Sequence, residues 1–324
     1  MIVAVTGAYG HVGVNLVRAL IDAGHSVRAV DVREGPALAG LDVTFVRADV
    51  LDADALRRAF DGIEVVFHLA AKISIAGDPD GSVRAINVDG VRNTATAALD
   101  TGVRRFVHVS SIHAFDCDQP GVIDETSPRS VRPSLPAYDR SKAAGEVALR
   151  TVIDRGLDAV VANLTGVIGP YDFTPSRMGA VFIALGRGKL PATIGGGFDW
   201  VDVRDVASSL LAVEAHGRTR ENYLLPGHRA SFATLAKLAA NVTGSAAPRF
   251  TVPMAVAKLA APAGLWWAQR TGAEPMFTPE SLHALATDPT VSGQKAAREL
   301  GHFPRPTQDT VADIYAWLRE TDCL

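Results

Sequence analysis

The stretch that most constrains this chain is its start, Met1 to Asp31. Ile2-Val3-Ala4-Val5 reads as a short buried strand, and Thr6-Gly7-Ala8-Tyr9-Gly10-His11-Val12-Gly13 follows at once. A helical pattern runs on through Asn15-Leu16-Val17-Arg18-Ala19-Leu20, and a second strand, Ser26-Val27-Arg28-Ala29-Val30, ends on Asp31. Strand, glycine-rich turn, helix, strand and acid in this order form the arrangement that holds a dinucleotide. Gly7 permits the tight turn off the strand. Gly10 lets backbone N–H groups approach a pyrophosphate, and Gly13 lets the helix pack close to the sheet. The helix N-terminus then offers unpaired donors and a positive dipole end to the phosphates. Asp31 is placed to accept hydrogen bonds from the adenosine ribose hydroxyls.

The rest of the first half repeats the alternation of short β-branched runs with helical patterns, which predicts an α/β fold with a parallel sheet. Val43 to Val46 reads as the third strand, Val65 to Leu69 as the fourth, Phe106 to Val109 as the fifth and Ala159 to Ala162 as the sixth. Helices are expected over Ala53 to Phe60, from about Ser82 to Asp100, and from about Pro136 to Asp154. Residues 116–136 are rich in proline and glycine and read as a loop. Past Gly169-Pro170 the alternation is lost. Val201 to Ala215 looks like a helix returning to the sheet, and Tyr223-Leu224-Leu225 like a last edge strand. The remainder, from Ser231, is mainly helical with proline breaks. At 324 residues, one large or two unequal domains are expected. The division predicted is a dinucleotide-binding part over 1–168, to which 199–226 returns, and a substrate-binding part over 169–198 and 227–324.

Composition narrows the function classes. A net charge of −3, with no local run of Lys and Arg, gives no electrostatic footprint for nucleic acid. Two cysteines, Cys117 and Cys323, make no disulfide framework and suggest a reducing compartment. The chain enters a strand at residue 2 with no basic leader, so a cytoplasmic protein is expected. The most apolar late stretch, Val252 to Ala268, is broken by Pro253, Lys258 and Pro262 and is too short for a membrane span. The histidines lack metal-ligand spacing, so no metal is expected.

The second anchor is Tyr138-Asp139-Arg140-Ser141-Lys142. Residues four apart share a helix face, so the Tyr138 hydroxyl and the Lys142 ammonium can converge on one point. A nearby ammonium favours the phenolate and is expected to lower the Tyr138 pKa. Such a tyrosine can give a proton to a carbonyl or take one from an alcohol. Ser111 closes the fifth strand at the end of the sheet where ligands bind, and its hydroxyl could polarise the same carbonyl.

The glycines Gly7, Gly10 and Gly13, then Asp49, Leu69-Ala70-Ala71, Asn87, Ser111, the Tyr138/Lys142 pair and Gly169-Pro170, fall in one order and spacing. Taken together they resemble the extended short-chain dehydrogenases/reductases. Trp200-Val201-Asp202-Val203-Arg204-Asp205-Val206-Ala207 resembles that family's late sheet-flanking motif, so the resemblance covers nearly the whole chain. It implies a Rossmann-type doubly wound sheet of about seven strands with a smaller, mainly helical C-terminal substrate domain. It implies a coenzyme turn from Gly7 to Gly13 that includes Tyr9, His11 and Val12, Asp31 on the adenosine ribose, Asp49 and Val50 near the adenine, and Leu69, Ala70 and Ala71 beside the coenzyme. It implies Asn87, Ser111, Tyr138 and Lys142 as the catalytic group, with Lys142 also holding the nicotinamide ribose and Asn87 supporting Lys142 through a water. It implies a homodimer through the Asn87 and Tyr138 helices.

Within the family, the segments Val161 to Pro170 and Ala296 to Gly301 with Pro304-Arg305-Pro306 are similar to the dihydroflavonol-reductase-like and 3β-hydroxysteroid-dehydrogenase-like branch. Proline is usual where Leu164 stands. Phe198 stands where the sugar-nucleotide enzymes carry an arginine for the diphosphate, and an apolar ring cannot neutralise phosphate. Where 4,6-dehydratases follow the catalytic hydroxyl with Asp-Glu, Ser111 is followed here by Ile112-His113. His113 either reaches the substrate or is a satisfied structural histidine. Val252 to Phe277, with Trp266 and Trp267, is either a packed helix or an apolar lid over a hydrophobic substrate. Asp31 repels a 2′-phosphate and favours NAD, while Arg33 keeps NADP open. The leading reading is a hydride-transferring oxidoreductase for an apolar carbonyl or alcohol. A nucleotide-sugar epimerase with tightly bound NAD is the alternative, and a non-catalytic coenzyme sensor a third.

Overall fold

The structure is a computed structural model that describes residues 1–271, 278–287, 289–321 and 323–324, without the side chains of 262–269 and 271. Strand β1 (Ile2–Thr6) leads into helix α1 (His11–Asp22), followed by β2 (Ser26–Asp31), β3 (Val43–Arg47), α2 (Ala53–Phe60) and β4 (Val65–His68). Then come α3 (Ser82–Arg84), a π-helical stretch over Ala85–Gly90, α4 (Val91–Asp100), β5 (Arg105–Ser111), β6 (Val122–Ile123), α5 (Ala137–Ile153) and β7 (Ala159–Leu164). The second half adds β8 (Gly166–Ile168), α6 (Arg177–Gly186), β9 (Ala192–Ile194), β10 (Gly197–Asp202), α7 (Val203–His216), β11 (Asn222–Leu225), β12 (His228–Ser231) and α8 (Phe232–Thr243). It closes with β13 (Phe250–Val252), α9 (Met254–Thr271), α10 (Pro279–Thr287), β14 (Thr290–Val291), α11 (Gln294–Leu300) and α12 (Thr307–Glu320).

The central sheet has seven strands in the order β11-β7-β5-β4-β1-β2-β3, every neighbouring pair parallel. Its order reverses between β1 and β4, where ligands lodge in doubly wound sheets. Both faces are covered, so its strands read as unbroken apolar runs. Val3 and Val5 of β1 pack under Val14, Val17 and Leu20 of α1 and Val206, Leu210 and Val213 of α7. Ala4, on the opposite side of the pleat, shares a core with Leu56 and Phe60 of α2, Val91 and Ala95 of α4 and Leu149 and Val152 of α5.

Three smaller ladders stand beside this sheet: β12-β10-β8, β13-β9 and β14-β6. The helix expected from Val201 begins instead at Val203. Trp200 to Asp202 complete β10, and the Asp202 carboxylate then caps α7 by accepting the Arg204 N–H at 2.8 Å. The loop expected over 116–136 contains β6, too short to show a period. The single helix expected from about Ser82 contains the π-helical stretch in its first half.

The C-terminal arm returns to the sheet. Lys295 Nζ donates to the Asn222 carbonyl at 2.6 Å, beside the edge strand β11. His302 reaches Ser209 Oγ through Nδ1 at 2.7 Å and the Pro226 carbonyl through Nε2 at 2.6 Å, and Arg305 pairs with Asp205 at 2.8 Å. Cys117 and Cys323 are both free thiols. No described helix is long and apolar enough to cross a membrane.

Candidate active site

A cleft of about 710 Å³ opens at the carboxyl ends of β1, β2 and β4. Gly7, Tyr9, Gly10, Asp31, Asp49, Val50, Leu69, Ala70 and Ala71 all line it. Gly7 has φ +69°, and a β-carbon there would lie 2.8 Å from the Ala70 N. A β-carbon on Gly13 would overlap the Gly7 carbonyl oxygen, so α1 can start this close to the turn only with glycine there. No described side chain caps α1 at Gly10, and its first turn carries no acid, so its N-terminal donors are left for an anion. Asp31 is oriented by its own backbone surroundings, accepting the Tyr9 N–H at 3.1 Å and the Val32 N–H at 2.8 Å. Glu34 lines the same end of the cleft with Asp31, and both carboxylates disfavour a further phosphate there. The cradle fits a dinucleotide.

Three residues of the expected coenzyme turn do not line this cleft. His11 Nε2 lies 3.0 Å from the Pro170 carbonyl, Val12 packs against the core, and Gly13 serves the close packing just described. His11 instead ties the turn to the segment after β8, with Asn15 Nδ2 donating to the same carbonyl at 3.2 Å. Phe173 and Thr174 of that segment complete the cleft wall, which the sequence alone did not indicate.

Ser111 ends β5, and Tyr138 and Lys142 stand one turn apart on α5. Burial pushes Tyr138 up to about 12, opposed by a hydrogen bond from the Ser111 hydroxyl, with the Asp139 charge adding to the rise. The expectation that Lys142 would lower Tyr138 is not met in this structure. Lys142 Nζ turns inward, donating to the Val109 carbonyl at 3.3 Å, and burial pulls the ammonium itself down to about 8 against the opposing charge of Glu146. The remaining two ammonium protons meet no partner among the described residues. Lys142 is not among the residues that line the cleft, but a buried cation with spare donors suits ribose hydroxyls.

Asn87 lies on the π-helical stretch, but its side chain is committed to others. Oδ1 accepts the Lys72 N–H at 2.8 Å, and Nδ2 donates to the Lys72 carbonyl and to Ser141 Oγ, each at 2.9 Å. Its carbonyl oxygen lies against Gly145 of α5, so close that a β-carbon there would overlap it. The π stretch and Gly145 together bring the two helices into contact at the catalytic level.

Beneath Lys142, Glu146 is 3% exposed and accepts four hydrogen bonds. They come from Ser110 Oγ and Asn163 Nδ2 at 2.7 Å, Arg129 Nη1 at 2.8 Å and Asn222 Nδ2 at 2.9 Å. Asn163 Nδ2 also donates to the Ser111 carbonyl at 3.0 Å, which links this buried carboxylate to the backbone at the end of β5. His68 and His108 stack at 5.4 Å below the site. Burial, with the Lys142 charge adding to it, holds His68 near about 3 and His108 well below its ordinary value. Sequence reasoning missed Ser141, Gly145, Glu146 and Asn163. A glycine inside the strong helical pattern of 137–153 was the one local signal.

A second cavity, of about 540 Å³, lies against β8 and β10. His113 and Phe198 both line it, with Trp200, Phe232, Met178 and Leu285 among their apolar neighbours. The rings form a row: Tyr138 meets His113 edge-on at 5.8 Å, His113 stacks on Phe198 at 5.8 Å and 13°, and Phe198 leans on Trp200 at 5.6 Å. The side chains of Trp266 and Trp267, and all of Met276 and Phe277, lie outside the described residues. The lid they were expected to form is therefore not placed.

The profile of the NAD dependent epimerase/dehydratase family matches residues 3–225. The chain is 34% identical over 329 residues, 99% of each chain, to sterol demethylase protein B of Methylococcus capsulatus. It is 30% identical to a putative dihydroflavonol 4-reductase of Synechocystis, over 97% of this chain and 94% of that one. Among solved structures, a nucleoside-diphosphate-sugar epimerase from Pseudomonas aeruginosa superposes with a TM-score of 0.81 at 27% identity, over 100% of this chain and 99% of that one.

Proposed function

The chain belongs to the NAD dependent epimerase/dehydratase family, the extended short-chain dehydrogenases/reductases, and we propose that within it the protein is an NAD-dependent oxidoreductase for an apolar carbonyl or secondary alcohol. The observation that carries this reading is the row of rings that leads from Tyr138 to His113, Phe198 and Trp200, the last three of which line a mainly apolar cavity of about 540 Å³. A phenylalanine at 198 offers nothing to a diphosphate and much to an apolar body. NAD, when bound, exchanges a hydride with the carbonyl or carbinol carbon.

The chain's own residues supply the proton chemistry. Tyr138 is a neutral phenol at pH 7, the form that donates to a carbonyl oxygen. Ser111, held at the end of β5, offers its hydroxyl to the same oxygen. Lys142 holds a positive charge one turn away, with donors to spare for the nicotinamide ribose. Asp31 and the uncapped start of α1 hold the adenosine ribose and the phosphates. A homodimer through α4 and α5 belongs to this reading, and Val147, 59% exposed on α5, is an apolar residue for that contact.

The epimerase reading rests on the structural likeness just given, and one experiment separates the two. Purified protein is assayed for NADH absorbance loss over apolar ketones and aldehydes, with UDP- and dTDP-sugars tested in parallel for epimerised product. NADH loss on an apolar carbonyl is expected, and Tyr138→Phe should cost about 10²- to 10⁴-fold in turnover while NADH affinity stays within twofold. Near-normal turnover in that variant, or sugar epimerisation without net NADH loss, overturns the assignment.

A further inference from the structure

His113 is the second residue past Ser111, and its ring sits between the catalytic tyrosine and the apolar cavity. Its Nδ1 lies 3.2 Å from Asp139 Oδ1, and the Asp139 side chain is 9% exposed. Asp139 immediately follows Tyr138, so the base of α5 carries the phenol and the carboxylate side by side. Among the described residues nothing meets Nε2. His302 shows what a purely structural histidine looks like in this protein: it is 3% exposed, with Nδ1 on Ser209 and Nε2 on Pro226, both within 2.7 Å. His113 lacks that arrangement: Nδ1 faces the Asp139 carboxylate at 3.2 Å without forming a hydrogen bond, and the ring lines the second cavity.

The surroundings sharpen the contrast. The polar side chains on the cavity wall are His113, Ser176, Arg177 and Ser281, and of these only His113 has its ring against Tyr138. Burial pulls the imidazole down, and the nearby Asp139 carboxylate lifts it above its ordinary value. With its proton on Nδ1, the nitrogen nearer Asp139, the neutral ring leaves Nε2 as an acceptor, and the protonated ring makes it a donor. Nε2, on the side of the ring away from Asp139, is left for a ligand atom.

We propose that His113, oriented by Asp139, is a specificity-determining residue, and that the substrate carries a second oxygen near the reacting carbon, on the side that faces the His113 ring. This deepens the oxidoreductase reading and rests on it. An apolar wall alone discriminates weakly between a hydroxylated substrate and its deoxy counterpart, whereas a site built to hydrogen-bond an oxygen rejects the analogue that lacks it. Asp139 is a positioning residue here, acting through the imidazole, and its charge also raises Tyr138.

The test uses pairs of apolar ketones with one carbon skeleton, with and without a hydroxyl on the neighbouring carbon, and NADH as the reductant. The wild-type protein is expected to favour the hydroxyketone by about 10- to 100-fold in kcat/KM. In His113→Leu that ratio should fall to within about threefold of one, and in Asp139→Asn it should fall while the KM for NADH holds. Equal turnover of the pair by the wild-type protein, or a preference that survives in His113→Leu, overturns the proposal and leaves the reductase reading standing. Absence of NADH oxidation on every carbonyl would remove the reductase reading instead. A binding measurement covers that case. In Tyr138→Phe loaded with NADH, the imidazole ¹⁵N signal lost in His113→Leu should shift on adding the hydroxyketone and stay in place with the deoxy ketone. No difference between the two ketones refutes the proposal without any turnover.

Discussion

Lys142 destabilises the fold in a way that pH can reveal. Burial takes its ammonium from an ordinary 10.5 to about 8, with only the Val109 carbonyl as a described partner. The folded pKa lies below the unfolded one, so between these values the unfolded chain binds more protons and stability rises with pH. At pH 7 the protonated, buried lysine costs about 3 kcal/mol relative to a chain with equal pKa values in both states. At pH 9, where the folded lysine is largely neutral, the cost is about 2 kcal/mol. Lys142→Met keeps most of the stem's packing and removes the titration. His68 and His108, which feel the same ammonium, both titrate below this window. Urea unfolding of coenzyme-free wild type and Lys142→Met at pH 7 and pH 9 should therefore show the wild type gaining about 1 kcal/mol on the variant. A difference between the two proteins that stays flat over this range, or that moves the other way, refutes the account of a desolvated ammonium.

Two further outcomes follow from the coenzyme cleft. Gly13→Ala places a methyl on the Gly7 carbonyl, so the turn must move; NADH affinity should drop at least about tenfold and the melting temperature should fall, read by fluorescence titration and thermal denaturation. Asp31→Ser removes the carboxylate that orients the Tyr9 and Val32 amides, and the ratio of kcat/KM for NADH over NADPH should fall by about 10- to 100-fold, measured by steady-state kinetics with both coenzymes; an unchanged ratio would place the ribose elsewhere.

The parts of this protein that the sequence made legible are those whose physics is local. β1, the turn at Gly7 and α1 are contiguous, and a buried parallel strand advertises itself as a β-branched run wherever it stands. The resemblance found on Tyr138, Lys142 and the glycines agrees with the family match over residues 3–225. What stayed hidden depends on residues distant in the chain. Glu146 collects donors from Ser110, Arg129, Asn163 and Asn222, and no window of sequence contains that set. The side-chain partners of Asn87 come from Lys72 and Ser141 through a π-helical stretch that leaves no periodic mark. The Tyr138 shift was expected in the wrong direction because a helical wheel shows the ammonium nearby and cannot show the burial that outweighs it. β8 and β10 escaped notice as partners because each is short and their pairing spans the whole irregular segment between them.

The returning C-terminal arm bears on how selectively the protein can measure a substrate's length. The backbone leaves the central sheet after β7, comes back with α7 and β11, leaves again, and is pinned once more by Lys295, His302 and Arg305. A part joined to its neighbour by one linker can swing open on a hinge; a part stitched back at several places along the same edge can only slide slightly or move its surface loops. The cavity lined by His113, Leu190 and Leu285 belongs to a part of the chain that is tied back in this way rather than hung on one linker. A molecule a few carbons too long gains no room from a wider opening. On the oxidoreductase reading proposed above, a tail that overfills the cavity is left in water, and chain length would be a criterion of choice alongside polarity.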